Sequence, residues 1–169
     1  MHIDRTLTPQ EWSPIFDRIG REGMLISASD GVLENTMTAS WGGFGIVWNQ
    51  PVAFCLIRPE RFTYALVTRA ERLSLAFLPP EFRGALQFCG RESGRNHTDK
   101  FSAAGLTVVH DGDVPFPQEA ETVFICRRLY ADDLRPDCFC DATIPGTHYR
   151  NGGFHRVFVC RIEKVLKKG

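Results

Sequence analysis

Arg58-Pro59-Glu60-Arg61-Phe62-Thr63-Tyr64 gathers two guanidinium groups and two hydroxyls within one short stretch. Arginine suits a phosphate because its planar fork donates two parallel charge-assisted hydrogen bonds, and Thr63 and Tyr64 add neutral donors beside it. A helix over Thr63 to Arg69 would also turn its first amides towards an anion. An exposed loop with solvated arginines accounts for the same residues, so this stretch alone does not decide. A second run, Cys89-Gly90-Arg91-Glu92-Ser93-Gly94-Arg95-Asn96-His97-Thr98-Asp99-Lys100-Phe101, is rich in glycine and in basic and hydroxyl groups. In a third, Asn35-Thr36-Met37-Thr38-Ala39-Ser40-Trp41, period-two alternation puts Thr36 and Thr38 on one face of a strand and Met37 and Ala39 on the other. A flat heteroaromatic ring needs such a wall, with donors at its polar edge and no bulk against its face. A half-buried strand with an exposed hydroxyl face gives the same pattern.

The elements around these stretches position them. The apolar run Pro51 to Ile57 reads as a buried strand feeding the Arg58 turn. Thr8-Pro9-Gln10-Glu11 carries a helix start, with Thr8 as cap, and predicts a short helix to about Ile19 after an arm or edge strand over 1–7. Met24 to Ala28 is a strand, and Ser29-Asp30-Gly31 turns it into a hairpin. Gly43 to Asn49 is expected as loop. Arg72 to Leu78 is a strand, and the prolines at 79 and 80 open a helix over Glu81 to Cys89. Thr98 is a candidate cap for a helix over Asp99 to Ala104, a role Asp99 could also take. Leu106 to Pro117 is irregular, Glu121 to Tyr130 a strand, Ala131 to Thr147 loop-like, and Phe154 to Leu166 a long terminal strand. Six or seven strands with few short helices make a mainly β fold, an antiparallel barrel or sandwich with peripheral helices.

A chain of 169 residues fits one domain, taken here as 1–169. Lys plus Arg balance Asp plus Glu at 20 each, so no net basic field recruits nucleic acid or an anionic membrane, and any anion site must be local. The first residues lack a signal-peptide core and no window reaches the length of a membrane span. A cytoplasmic location with mostly reduced cysteines is the resulting expectation, Cys55, Cys126 and Cys160 behaving as buried hydrophobes.

In their order and spacing the three stretches resemble the flavin reductase-like, flavoredoxin-type FMN-binding proteins, whose fold is a split β-barrel of antiparallel Greek-key type. The resemblance covers about Gly23 to Phe101 and, more loosely, the strand after Phe154. It implies a homodimer with FMN held noncovalently near the subunit interface. Carried over residue by residue, it implies that Asn35, Met37, Thr38, Ala39, Ser40 and Trp41 line the isoalloxazine. Arg58, Arg61, Thr63 and Tyr64 would take the phosphate or ribityl chain, and Ser93, Gly94, Arg95 and Lys100 would complete the anion site. The charges of Arg58, Arg61, Arg95 and Lys100 fit a phosphate dianion, and Gly90 and Gly94 would admit the backbone close to it. The flavin would carry the hydride chemistry, so no acid–base residue is assigned. NAD(P)H is the possible electron donor, lying over the open flavin face near Trp41, Trp48, His148, Tyr149 or His155. No G-x-G-x-x-G follows a strand, so no Rossmann site is present.

Other readings stay open on the sequence. An FMN-binding electron carrier serving a redox partner protein would share every one of these residues. Another phosphate-bearing or planar ligand, such as haem or a B6 phosphate, could take the place of FMN, as in split-barrel relatives. Cys138, Cys140, His148 and His155 are zinc-compatible types at an unusual spacing, and Cys138 with Cys140 could instead be redox-active or simply a reduced loop. No metal ligand is assigned. His97 and His110 read as surface residues, and Cys89 as a buried thiol or a neighbour of the flavin.

Overall fold

The structure is a computed structural model and describes residues 8–169; the arm expected over 1–7 lies outside the described residues. Thr8 caps α1 (Pro9–Trp12) through a capping box. The Glu11 N–H donates to Thr8 Oγ1 at 3.3 Å, and the Glu11 carboxylate accepts from the Thr8 N–H at 2.9 Å. The helix does not run unbroken to Ile19. Ser13 is extended because a residue before proline is kept out of the helical region, and α2 (Ile15–Asp17) restarts after Pro14 and runs into a π-helical turn over Arg18–Glu22.

Gly23, at φ +88°, delivers the chain into β1 (Met24–Ser29), which pairs with β2 (Glu34–Ala39) in the expected hairpin. The Asp30 carboxylate holds its turn by accepting from the Val32 and Leu33 N–H groups. The segment expected as loop from Gly43 to Asn49 is mostly strand: β3 (Gly42–Val47) pairs with β4 (Gln50–Ile57). Trp48 and Asn49, both at left-handed φ of 50° and 57°, form the two-residue turn. Gly42 is obligatory there, since a Cβ would sit 2.5 Å from the Phe54 carbonyl oxygen. After α3 (Phe62–Arg69) come β5 (Arg72–Phe77), a 3-10 turn at Pro80–Phe82 and α4 (Arg83–Arg91). Asp99, not Thr98, caps α5 (Lys100–Ala103), accepting from the Ser102 N–H at 3.0 Å. The stretch read as irregular is a second correction: β6 (Val108–Asp111) and β7 (Val114–Pro117) form a hairpin. β8 (Thr122–Asp133) outruns its expected end, α6 (Thr143–His148) forms inside the expected loop, and β9 (Arg156–Lys167) closes the chain.

Seven strands make one antiparallel sheet in the order β2-β1-β5-β8-β9-β4-β3, with β6-β7 apart. β2 and β3 end the order yet follow each other in sequence. Met37 and Ala39 of β2 share one buried cluster with Ala53 and Cys55 of β4, so the sheet curls into a split barrel. Cys55, Cys126 and Cys160 lie in this interior as free thiols. The barrel's outer wall, with Leu25, Ala76 and Ile125, is covered by Leu86 and Cys89 of α4, Phe101 of α5 and Val114 of β7. That packing fixes α4 and α5 beside β2, and the chemistry-bearing stretches meet at this seam.

Candidate functional site

The C-terminal end of α4 leaves carbonyls without helical partners and carries the negative end of the helix dipole. Two cations converge on it. Arg61 donates from Nη1 to the Gly90 carbonyl at 2.8 Å and from Nη2 to the Cys89 carbonyl at 3.4 Å, and Lys100 Nζ donates to the same Cys89 carbonyl at 2.9 Å. Lys100 is only 3% exposed, and no carboxylate pairs with it or with Arg61 among the described residues. Burial is the main cause that lowers the Lys100 ammonium to about 8; the Cys89 thiol opposes it and Arg61 adds to it. Burial likewise pushes the Cys89 thiol up to about 11, an inert sulfhydryl. An ammonium has three donors and Lys100 uses one on the protein. Lys100 also lines a cavity of about 220 Å³, together with Asn35, Arg61, Thr63, Ser93, Gly94 and Arg95.

Gly94 is required at this wall. A Cβ there would overlap Asn35 Oδ1 and come within 2.5 Å of Phe62 Cδ1. Asn35 is buried and donates from Nδ2 to Thr63 Oγ1 at 2.7 Å, locking β2 to the first turn of α3. Arg95 donates to the Glu60 carbonyl at 3.2 Å and lies over the Phe62 ring.

A second cavity, of about 290 Å³, shares Met37 and Arg61 with the first and is walled by Thr38, Ala39, Ser40, Trp41, Arg58 and His155. The two therefore form one elongated cleft, cationic at one end and aromatic at the other. Trp41 packs on His155 at 4.7 Å between ring centroids and edge-on to His148 at 5.3 Å. His155 Nδ1 and the Tyr149 hydroxyl lie 2.9 Å apart, and Tyr149 stacks on Phe154. Burial first, and then the neighbouring Arg58 charge, lower His155 to about 4, so the imidazole is neutral near pH 7. Arg58 ties this aromatic loop to the end of β4, donating to the His148 carbonyl at 2.7 Å and lying over the Tyr149 ring.

The family model described as "Flavin reductase like domain" matches residues 16–168. The chain belongs to the flavin reductase-like family. An FMN-binding protein from Thermus thermophilus, with p-hydroxybenzaldehyde bound, has a similar fold: TM-score 0.68, 20% identity, 99% of this chain and 82% of that one covered. Flavoredoxin from Methanosarcina acetivorans is similar at TM-score 0.67 and 16% identity, over 87% of this chain and 68% of that one. An NADH:FAD oxidoreductase from Streptomyces globisporus gives TM-score 0.66 and 12% identity, over 99% and 89%. No curated protein matches by sequence.

In this flavin reductase-like chain the cofactor-binding residues singled out in the sequence line the two cavities, except Tyr64. Met37, Thr38, Ala39, Ser40 and Trp41 line the aromatic cavity, and Asn35, Thr63, Ser93, Gly94, Arg95 and Lys100 the cationic one, with Arg61 at their junction. Arg58 lines the aromatic cavity together with Arg61 and does not line the cationic one with Thr63. Tyr64 lines neither cavity: helical geometry turns it about 100° from Thr63, and its ring packs towards Phe158 beneath Arg156. The Thr36 and Thr38 hydroxyls are not a polar wall. Ser27 Oγ donates to Thr36 Oγ1 at 2.9 Å, and Thr38 Oγ1 donates to the Leu86 carbonyl at 2.6 Å, fastening β2 to α4. Gly90 packs against Thr38, and its carbonyl takes Arg61.

Leu56 in the aromatic cavity, and Glu60, Phe62, Arg91 and Glu92 around the cationic one, escaped the sequence reading. Alternation along β4 could have found Leu56, since Cys55 and Ile57 point into the barrel and Leu56 must point out. Trp48 lies 57% exposed on its hairpin and lines neither cavity. Cys138 and Cys140 are exposed free thiols, and no group of three or more His, Cys, Asp or Glu is disposed for a metal among the described residues. His97 and His110 are partly exposed and pair with Glu92 and Glu34.

Proposed function

We propose that the chain binds FMN noncovalently, with the isoalloxazine in the Trp41 cavity and the phosphate in the Lys100 cavity, and works as an NAD(P)H-dependent oxidoreductase. The observation that carries this reading is Lys100, a buried cation with no carboxylate partner among the described residues, lining a cavity that adjoins an aromatic one at Met37 and Arg61. An ammonium buried in that way is costly unless an anion compensates it. Arg61, Arg95, Lys100 and the Ser93 hydroxyl would hold the phosphate, and Asn35 and Thr63 would hold the cleft's width between them. Met37, Ala39 and Trp41 would lie along the ring, and Arg58 would brace the loop carrying His155 over it. FMN, when bound, supplies the hydride and electron chemistry, and the protein orients it and controls access to it. His155 enters as a neutral imidazole, so it adds no charge where a nicotinamide would stack. A cytoplasmic homodimer with the cofactor near the subunit interface completes the reading.

The structural likeness extends to an FMN-binding protein, a flavoredoxin and an NADH:FAD oxidoreductase, and this range supports flavin chemistry while leaving the donor to experiment. Stopped-flow mixing of the FMN-loaded protein with NADH and with NADPH is the test. Bleaching of the flavin fast enough for turnover supports the reductase. Bleaching only by dithionite would leave an electron carrier for a protein partner, and failure to bind FMN at all would remove the reading.

A further inference from the structure

A trough of about 530 Å³ runs from the aromatic cavity between the N-terminal helices and β3. Ser40, Trp41 and Leu56 belong to both, so the trough opens directly onto the ring end of the cleft. Its walls are Trp12 and Phe16 on one side and Trp41 and Phe44 on the other, over the flat backbone of Gly42 and Gly43. Among the described residues, no Lys, Arg, Asp, Glu or His lines it. Helix α1 buries none of its own residues, and Trp12 stands 73% exposed with its ring centroid 6.2 Å from that of Phe16. A helix that adds nothing to the core but sets a large aromatic over a groove is placed to receive something apolar.

We propose that this trough binds an uncharged, planar, two-ring aromatic molecule of the naphthoquinone class as the electron-accepting second substrate of the same site, taking two electrons and two protons to leave as the hydroquinone, with 2-naphthol as its redox-inert analogue. The substrate role rests on the flavin occupying the Trp41 cavity; the binding itself does not. The chemistry of the walls makes the selection. Aromatic faces and a glycine floor accept a flat π-system without strain, while a sulfonate, carboxylate or phosphate would enter a groove that offers no cation among the described residues to compensate its desolvation. The trough is thereby a poor seat for a dinucleotide, whose phosphates would find their cations in the cleft, at Arg58, Arg61, Arg95 and Lys100.

The test is calorimetric titration of the full chain, FMN-loaded, with 2-naphthol and with naphthalene-2-sulfonate, which share a ring system and differ in charge. FMN affinity is measured separately on each variant. Saturable naphthol binding at one per chain is expected, with the sulfonate at least tenfold weaker. Trp12→Ala and Phe16→Ala should each weaken naphthol at least fivefold with FMN affinity unchanged, and Trp48→Ala should change neither. Equal binding of the sulfonate, or naphthol binding indifferent to Trp12 and Phe16, overturns the proposal. So does a wild type that ignores naphthol but dissociates to a smaller species on Phe16→Ala, because a second copy then covers the trough. Naphthol binding by a protein that cannot bind FMN keeps the trough as a site and refutes its role as the second-substrate site. FMN binding without naphthol binding refutes the trough and leaves the flavin reading standing.

Discussion

Replacing Lys100 by methionine separates a phosphate anchor from a structural cation, because the two roles predict opposite signs. Lys100 sits 3% exposed, its ammonium lowered by burial from 10.5 to about 8. A fall of that size means about 3 kcal/mol held against folding at neutral pH. The cost is present in full below pH 8, where both states are protonated, and fades between pH 8 and 10.5 as the unfolded chain also loses its proton. Methionine removes the charge and keeps the stem's bulk. It also forfeits the charge-assisted bond to the Cys89 carbonyl, worth about 1.5–3 kcal/mol, and that carbonyl keeps Arg61 as a donor. The apo variant should therefore be as stable as the wild type or up to about 1.5 kcal/mol more stable in urea unfolding near pH 7. FMN binding should move the other way, losing the about 1.5–3 kcal/mol of a hydrogen bond to a charged group, roughly 10- to 150-fold in Kd. Quenching of FMN fluorescence on titration with protein reads that affinity. A variant that keeps wild-type FMN affinity would place the phosphate elsewhere, and a variant that is several kcal/mol less stable would make Lys100 a structural cap for α4.

Four other expectations follow from the same geometry. FMN affinity of the wild type should fall as pH rises above about 8, where Lys100 loses its proton, while Lys100→Met should show no such fall; titrations at pH 7 and pH 9.5 check the contrast. Gly94→Ala forces a Cβ against Asn35 and Phe62 and should cost about 1–3 kcal/mol of stability together with most FMN affinity, read by thermal unfolding and titration. Thr38→Val removes the donor to the Leu86 carbonyl and should cost about 1 kcal/mol, with α4 showing faster amide exchange. Tyr64→Phe should leave FMN affinity within twofold, since the residue lines neither cavity; a larger loss would reinstate it at the ribityl chain.

Where side-chain chemistry decides the backbone, the fold could be read directly. The capping box at Thr8, the Asp30 turn, the apolar strand into Arg58 and the helix after it follow local rules and stand as expected. β3 escaped because glycines at 42, 43 and 45 weaken any strand signal and its turn, Trp48-Asn49, lacks the glycine that marks most such hairpins. β6 and β7 escaped because prolines at 115 and 117 read as breakers, although an isolated two-stranded hairpin tolerates them. At the site, residue types picked out most of the residues that line the two cavities, and tertiary packing decides which cavity each one lines. Arg58 and Arg61 are three apart around a turn and diverge, one towards the loop of His148 and the other towards the end of α4. His148, Tyr149 and His155 do gather round Trp41, through β4–β9 pairing between positions about a hundred residues apart, which no local pattern encodes.

The central claim, a phosphate held at Lys100 and Arg61 with the ring at Trp41, is tested most directly by titrating the apo protein with FMN and with riboflavin, which differ only in the phosphate. The account predicts that both bind and that FMN binds at least a hundredfold tighter, the worth of about two charge-assisted hydrogen bonds, with the ratio collapsing in Lys100→Met. Equal affinity for the two flavins, or a ratio untouched by that substitution, would contradict it.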